Sequence, residues 1–219
     1  MPQLTLADEI VVLMLDDAEG EIRPDCLPLA AVAIVGGVLM ELALRGRVDS
    51  DLQALFVVDD TPTGDTLLDA FLAELQAEDG RFLSAWWIDR LAKRHADIVD
   101  GMLERLVAAG ILRVQETRHL WVFSRRAYPP VSGQEEREAK ARLMAVLFAA
   151  EMPDPRDTLL LGLANASGAL AAILSEEEWE AATGRIAEVG MLEEIGRAVR
   201  LVARHEWNTI AAIMGGHPV

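Results

Sequence analysis

The sequence predicts a mainly α-helical protein, a single compact helical domain over residues 1–219 with two small β-hairpins. The chain has 219 residues, enough to bury one substantial core. Hydrophobic residues make up 52% and charged residues 26%, an ordinary globular balance that excludes general disorder. Apolar residues recur at the helical period in most segments and alternate at the strand period in only a few, so helices dominate the prediction.

Five helices are predicted in the first half of the chain. Arg45–Arg47 ends the long apolar second helix, and Gly110 ends the fifth as a C′ glycine. Thr63 is predicted to cap the third helix, with Asp65 in its first turn. The five helices cover Leu4–Leu15, Leu27–Leu44, the Thr61–Asp65 entry to about Ala77, Phe82–Arg94 and Ala96–Ala109.

Four short runs predict the two hairpins. They are Arg47–Asp49 paired with Leu55–Val58, and Ile111–Val114 paired with Leu120–Phe123. The remaining segments are predicted as helices, over Gln134–Ala150, Asp157–Leu174, Glu176–Val189 and Glu193 to about Met214. The uncharged run Thr158–Ser175 approaches the length of a membrane span, but its polar and glycine positions favour a helix buried in a soluble fold.

Charge is the unusual property of this chain. It has 20 basic and 36 acidic residues, a formal net charge of −16. This balance argues against a broad nucleic-acid surface and against unspecific adsorption to anionic membranes, because both need clustered Lys and Arg. The segment 86–126 is an exception, since its eight basic and five acidic residues give +3. Its arginines either bind a phosphorylated headgroup or neutralise acidic helices of the same chain.

The sequence contains no recognisable catalytic or metal-binding pattern. Cys26, the single cysteine, allows no intrachain disulfide and is predicted to be a small structural residue. The four histidines form no i, i+4 pair, and no serine or cysteine has a nucleophile context. The acidic residues of the segment 59–69 lack the ligand spacing of an EF-hand and fit a turn into a helix. We therefore expect a non-enzymatic protein without metal or cofactor.

A winged-helix regulator is a further interpretation, because the helix Ala96–Ala109 precedes an arginine-bearing hairpin. In such modules the recognition helix needs exposed basic positions. Here that helix carries Asp97, Asp100 and Glu104 against Arg105, which is a poor face for DNA. The sequence therefore predicts no nucleic-acid partner.

Several stretches resemble one known family, in the family's order and over most of the chain. The Glu-Leu-Ala-Leu-Arg-Gly-Arg and Pro-Thr-Gly-Asp sequences among them are fairly specific. The stretches are Leu4–Leu15, Met40–Arg47, Thr61–Asp69, Trp87–Ile88, Leu106–Leu112 and Asp154–Ser167. On these residues the chain resembles the Golgi phosphoprotein 3 family. The resemblance implies a mostly helical domain with a projecting β-hairpin, and peripheral binding of phosphatidylinositol 4-phosphate.

The lipid site that the resemblance implies is not matched residue by residue. In eukaryotic members it uses a Trp and an Arg near the start of the second long helix, and two Arg on the helix before the Gly-Ile-Leu element. Here the corresponding Arg positions hold Val35, Ala96 and Val99, and no Trp occurs between residues 20 and 40.

Other residues near those segments provide a candidate site. We expect Arg23, Arg90 and Arg94 to hold an anionic lipid headgroup, and Trp86 or Trp121 to insert into a membrane or to mediate oligomerisation. The alternative is a protein-interaction scaffold that has lost lipid binding and uses a protein partner or a homo-oligomer formed through a hairpin. The first residues lack the basic region of a signal peptide, so we expect a cytoplasmic protein, peripheral at a membrane surface.

Overall fold

The computed structural model describes residues 4–16, 18–119, 123–149, 153–189 and 194–213. Within these residues the chain forms ten α-helices and three two-stranded antiparallel sheets, which confirms the mainly α prediction. The helices are α1 (Leu6–Met14), α2 (Ala30–Leu44), α3 (Thr66–Ala77), α4 (Ser84–Ala92), α5 (His95–Ala108), α6 (Gln134–Phe148), α7 (Pro155–Ala166), α8 (Ala169–Ile173), α9 (Glu176–Val189) and α10 (Glu194–Ile213), and a short 3₁₀ helix, Leu27–Leu29, leads into α2. The paired strands are β1 (Leu15–Asp16) with β2 (Glu21–Ile22), β3 (Val48–Ser50) with β4 (Leu55–Val57), and β5 (Gln115–His119) with β6 (Phe123–Ala127).

The central helix is α2, which packs against α1, α4, α5, α7 and α10. Every residue from Ala30 to Leu42 is buried, as expected of a helix that is apolar on all sides. The segment Leu27–Leu44 has a mean hydropathy of 2.2 and would be long enough to cross a membrane, but 78% of it is buried inside the fold. Its apolar surface is therefore used by the core of this domain.

Gly36 and Gly37 allow two helices to approach α2 closely. A methyl group at Gly36 would collide with the side chain of Val199 on α10. A methyl group at Gly37 would lie 2.9 Å from the backbone nitrogen of Ala7 on α1, closer than real Cβ atoms come to backbone. The two adjacent glycines therefore allow the close packing of α1 and α10 on α2.

Ion pairs between buried side chains connect α1 to other elements of the fold. All nine residues of α1 are buried, including two carboxylates. Asp8 completes a capping box with Thr5 and accepts a hydrogen bond of 2.8 Å from Nε of Arg105 on α5. The same guanidinium donates to Asp65, with 2.6 Å between Nη2 and Oδ2. Buried carboxylates need such partners, because an unpaired charge in a protein core is very costly.

Glu9 anchors a second side of α1. It contacts Arg142 of α6 and Arg156 of α7, and Arg156 also donates to Glu41 of α2 at 2.8 Å. Burial raises the pKa of Glu9, and the two guanidinium groups offset that effect only in part. One buried carboxylate thus joins α1 to two helices from the second half of the chain.

The second hairpin lies further along the chain than predicted. Strands were expected at Ile111–Val114 and Leu120–Phe123, but β5 and β6 begin at Gln115 and Phe123. Ile111 and Leu112 instead turn into the core, where their N–H groups donate to the carbonyl of Leu106. The apolar residues that resembled a strand therefore close the end of α5. The hairpin β3–β4 is confirmed, whereas β1–β2 was not predicted.

The predicted helix Asp157–Leu174 is interrupted. The helix α7 ends at Ala166, and α8 begins at Ala169. Between them Gly168 has a φ of 82°, in the left-handed region that glycine adopts without steric cost. After this turn Ala169 and Leu170 are buried in the core, and the apolar run therefore forms two helices instead of one.

Asp65, rather than Thr63, caps α3, so the predicted cap was wrong. The Asp65 carboxylate accepts hydrogen bonds from the N–H groups of Leu67 and Leu68. Thr63 donates its N–H and its hydroxyl to Asp69, at 2.6 and 2.7 Å. The two aspartates of this turn are therefore occupied by backbone and hydroxyl donors that order the entry into α3.

Candidate functional site

A cleft lies beside the start of α2, where the 3₁₀ helix, α4, α5 and α10 meet. It encloses about 200 Å³. Its lining residues come from five elements and the turn between α4 and α5, namely Pro28, Ala31, Val32, Asp89, Ala92, Lys93, His95, Val202 and Glu206. We call it the α2 cleft.

Two nitrogen-bearing side chains line the α2 cleft, Lys93 in the turn after α4 and His95 at the start of α5. Lys93 pairs with Asp89 at 2.8 Å, and 71% of its side chain is exposed. His95 directs Nε2 to the carbonyl oxygen of Leu27, 2.9 Å away, so this nitrogen donates the hydrogen bond. The start of α2 lies at the same cleft, and the amino end of a helix favours negative charge. The α2 cleft thus combines an ammonium, an imidazole and a helix start with two carboxylates, Asp89 and Glu206.

Arg23 lies close to the 3₁₀ helix. Its N–H donates to the carbonyl of Met14, and its Nη1 donates to the carbonyl of Leu13 at 3.1 Å. Burial raises the pKa of the Cys26 thiol to about 11, although the charge of Arg23 acts to lower it. Arg23 is therefore near the buried Cys26, the residue that precedes the 3₁₀ helix.

Arg90 and Trp86 are engaged with each other. The Arg90 guanidinium lies 4.9 Å from the centre of the Trp86 ring and 2.7 Å from an oxygen of Glu78. Trp86 stacks on Phe82 with 3.9 Å between ring centres. Both residues predicted for lipid contact thus take part in an aromatic and ionic cluster at the end of α3.

Arg94 faces a second cavity. It donates to both oxygens of Glu74, at 2.9 and 3.0 Å. It also lines a groove of about 400 Å³ between α3 and α5, which we call the α3–α5 groove. The residues that line this groove are Thr66, Leu67, Ala70, Phe71, Glu74, Arg94, Asp97, Ile98, Gly101, Met102 and Arg105.

Arg90 and Arg94 both lie against α3. Arg94 pairs with Glu74 in the second half of that helix, and Arg90 pairs with Glu78 at its carboxyl end. Arg23 lies near Cys26, and among the described residues it shares no hydrogen bond or ion pair with Arg90 or Arg94. Trp121 lies outside the described residues. Lys93 and His95 at the α2 cleft were not predicted from the sequence. The run Lys93-Arg94-His95, where the turn leads into α5, was the signal that could have identified them.

The positions that correspond to the eukaryotic lipid-binding arginines have other roles here. Val35 is completely buried in α2, and Val99 is 7% exposed on α5. Ala96 is exposed, in the first turn of α5. Two of these three positions therefore belong to the apolar core, and an anionic ligand would need other cations.

Comparison with known proteins agrees with the resemblance seen in the sequence. The family model for Golgi phosphoprotein 3 (GPP34) matches residues 6–205. The chain is also 26% identical over 166 residues to vacuolar protein sorting-associated protein 74 of Eremothecium gossypii. That alignment covers 67% of this chain and 50% of the relative, so the chain spans about half the length of the curated relative it matches. Because the family model covers most of its length, the chain belongs to the Golgi phosphoprotein 3 family.

Proposed function

We propose that this chain is a non-enzymatic, cytoplasmic adaptor that binds peripherally to membranes through a phosphorylated lipid headgroup of the phosphatidylinositol 4-phosphate type. The observation that carries the proposal is the α2 cleft, a concave site beside the start of the central helix. Lys93 and His95 line it, together with the first residues of α2.

The α2 cleft has to hold such a headgroup against the net charge of −16 and against Asp89 and Glu206, the two carboxylates that line it. The ammonium of Lys93 donates hydrogen bonds to phosphate oxygens, and the start of α2 adds favourable potential. Asp89 is the present partner of Lys93, so the headgroup phosphate would compete with this carboxylate. Binding should therefore depend strongly on headgroup charge and weaken as salt is added.

A second candidate is a protein-interaction scaffold of the same fold without lipid binding. It is favoured by the burial of Val35 and Val99 and by the engagement of Arg90 and Arg94 with Glu78 and Glu74. In this scheme the arginines of the segment 86–126 neutralise carboxylates of the same chain. Its partner would be another protein, or a further copy of the chain bound through a hairpin.

Vesicle flotation separates the two candidates. The purified chain is mixed with phosphatidylcholine vesicles, with or without phosphatidylinositol 4-phosphate. The lipid proposal expects flotation only with the phosphoinositide, and a loss of roughly tenfold or more in the Lys93→Ala/His95→Ala variant. Arg81→Ala/Arg137→Ala is the matched control, because it also replaces two nitrogen-bearing side chains but at exposed positions away from the α2 cleft.

Three outcomes decide the assignment. Equal flotation with and without the phosphoinositide would reject lipid binding and favour the scaffold. A loss of flotation confined to Arg90→Ala/Arg94→Ala would show that the arginines predicted from the sequence bind the headgroup instead. A loss confined to Lys93→Ala/His95→Ala, with an unchanged thermal unfolding transition, would support the α2 cleft.

A further inference from the structure

The α2 cleft contains two carboxylates that a phosphate by itself would not use. Asp89 of α4 and Glu206 of α10 line the cleft together with Lys93 and His95. With the imidazole neutral, these four side chains carry one positive and two negative charges, a net of −1. A phosphate adds further negative charge, so a ligand that also carries a positive group matches the cleft better.

Glu206 is the acidic group of the cleft that still needs a partner. Lys93 and Asp89 neutralise each other across 2.8 Å, and His95 donates to the carbonyl of Leu27. The half-buried Glu206 carboxylate has no hydrogen bond or ion pair within the part of the chain that the structure describes. A carboxylate left unpaired on the wall of a concave site attracts a cation.

The pair of Lys93 and Asp89 keeps hydrogen-bonding groups available to a ligand. An ammonium has three N–H donors, and the contact with Oδ2 of Asp89 uses one of them. The Lys93 side chain is 71% exposed, so its other N–H groups can reach a ligand phosphate. The second oxygen of Asp89 can accept from a ligand ammonium. A ligand with both groups therefore adds to this ion pair, whereas a phosphate alone competes with Asp89.

The remaining walls of the α2 cleft are apolar. They are formed by Pro28, Ala31, Val32, Ala92 and Val202. A short methylene linker between a phosphate and an ammonium would lie against these walls without burying a polar group. Quaternary ammonium groups are bound by aromatic cages, but no aromatic side chain of the described residues lines this cleft. Carboxylates instead accept hydrogen bonds from a primary ammonium, so the cleft favours ethanolamine over choline.

We propose that the α2 cleft recognises a phosphate and a primary ammonium joined by a short linker, the phosphoethanolamine class of headgroup. Lys93 binds the phosphate, and Glu206 with Asp89 binds the ammonium. The inference rests on the proposed function, since it uses the same cleft and phosphate and adds the group that sets specificity. Phosphatidylethanolamine and soluble phosphoethanolamine compounds share this chemistry. A neutral zwitterion also avoids the repulsion that a chain of net charge −16 exerts on anions.

Calorimetric titration with soluble phosphodiesters measures the contribution of the ammonium. The probes are glycerophosphoethanolamine, glycerophosphocholine and glycerophosphoglycerol, and we expect the first to bind about tenfold more tightly than the others. Glu206→Gln should weaken glycerophosphoethanolamine about tenfold and strengthen glycerophosphoglycerol, because it removes both the ammonium's partner and a repulsion of the phosphate. Damage to the fold would weaken both probes. Glu180→Gln is the matched control, since this exposed glutamate of α9 does not line the cleft, and it should change neither affinity.

Vesicle flotation identifies the source of the headgroup. The vesicles are phosphatidylcholine with added phosphatidylethanolamine or phosphatidylglycerol. Flotation with the ethanolamine lipid supports a membrane ligand, and binding of glycerophosphoethanolamine without flotation supports a free phosphoethanolamine compound. Equal binding of the three diesters, or a preference that survives Glu206→Gln, would overturn the inference even if phosphatidylinositol 4-phosphate vesicles float the chain. Failure of every phosphorylated probe, phosphoinositide vesicles included, would reject the proposed function as well.

Discussion

Arg105 on α5 holds Asp65, the N-cap of α3, through two hydrogen bonds. Nη2 lies 2.6 Å from Oδ2, and Nη1 lies 3.1 Å from Oδ1. The same guanidinium donates to Asp8 on α1, through Nε at 2.8 Å and Nη2 at 3.1 Å. One side chain therefore joins the caps of two helices to a third helix that is distant from both in sequence.

Replacing Arg105 should be strongly destabilising. In Arg105→Ala, the Asp8 side chain, only 4% exposed, would lose its cationic partner. Removing one member of a buried ion pair costs about 3 kcal/mol or more, so the free energy of unfolding should fall by that amount. Urea unfolding at pH 7 measures the change. Arg81→Ala is the control, because that arginine is 66% exposed and its surface pair with Asp51 should contribute little to stability. A loss at Arg105 no larger than at Arg81 would contradict the role of the clamp.

Asp65 should make stability depend on acid pH. Burial acts to raise its pKa, but hydrogen bonds from Arg105 and from the N–H groups of Leu67 and Leu68 outweigh burial and hold it below its ordinary value of 3.8. A carboxyl with a lowered pKa contributes stability above its unfolded value, and that contribution is lost as the pH falls through the folded value. The unfolding free energy should therefore decline below pH 3.8, and more steeply in the wild type than in Asp65→Asn. Urea titrations between neutral pH and pH 3 compare the slopes, and parallel curves would refute the assignment.

Glu9 should give the opposite dependence of stability on pH. Burial is the largest influence and raises its pKa above the ordinary value of 4.5, despite Arg142 and Arg156. A carboxyl with a raised pKa contributes most stability below the unfolded value and loses it as the pH rises through the folded value. Between pH 4.5 and neutrality, Glu9→Gln should remove a fall in the unfolding free energy that the wild type retains. The slope is the informative quantity, since the substitution also weakens the contacts of two arginines. A slope identical to that of the wild type would contradict this prediction.

The glycines of two helices should respond to alanine with opposite signs. At Gly37 the new methyl group would press on the backbone of Ala7, so Gly37→Ala should lower the unfolding free energy by about 1–3 kcal/mol. Gly101 has open space and lies within α5, so Gly101→Ala should raise it by roughly 0.5–1 kcal/mol through a stiffer unfolded chain. Thermal and urea unfolding report both changes. Equal changes in the unfolding free energy at the two positions would show that the close packing of α1 on α2 is not the reason for glycine at position 37.

The positions of most helices could be predicted because their signals are local. The predicted helix Glu176–Val189 agrees with α9, and Gly110 follows the end of α5, as predicted. The hairpin β3–β4 was predicted from runs of strand-forming residues on either side of a turn. In these segments the hydrophobic period and the end signals agree with the tertiary packing, so local interpretation is sufficient.

Local sequence signals led to wrong predictions where burial decides between two conformations that the same residues could adopt. Ile111 and Leu112 resemble a strand, but they are 4% and 2% exposed in the core at the end of α5, which moves the hairpin onto the charged residues that follow. The break falls at Gly168 in an uncharged run whose other glycine, Gly162, stays inside α7. In both places the competition is between similar local conformations, and contacts with distant residues decide it.

The candidate site depends most on such distant contacts. From the sequence, Arg90 and Arg94 are exposed cations in a basic segment, but Glu78 and Glu74 on α3 are their partners in the fold. Lys93 lies between them and faces the α2 cleft instead, because successive residues of the turn point in different directions. Charge can be counted from sequence, but the partner of each charge is determined by packing.

The sequence by itself determined the family, the mainly helical class and the acidic balance, since these depend on residue identity and periodicity. Only the tertiary structure decided which carboxylate neutralises which arginine, because the pairs of Arg105 lie 40 and 97 residues away along the chain. It also decided that Arg94 and His95, neighbours in sequence, line two different cavities. Coulombic pairing and burial depend on distances in space, and helices that are far apart in sequence set those distances when they pack around α2.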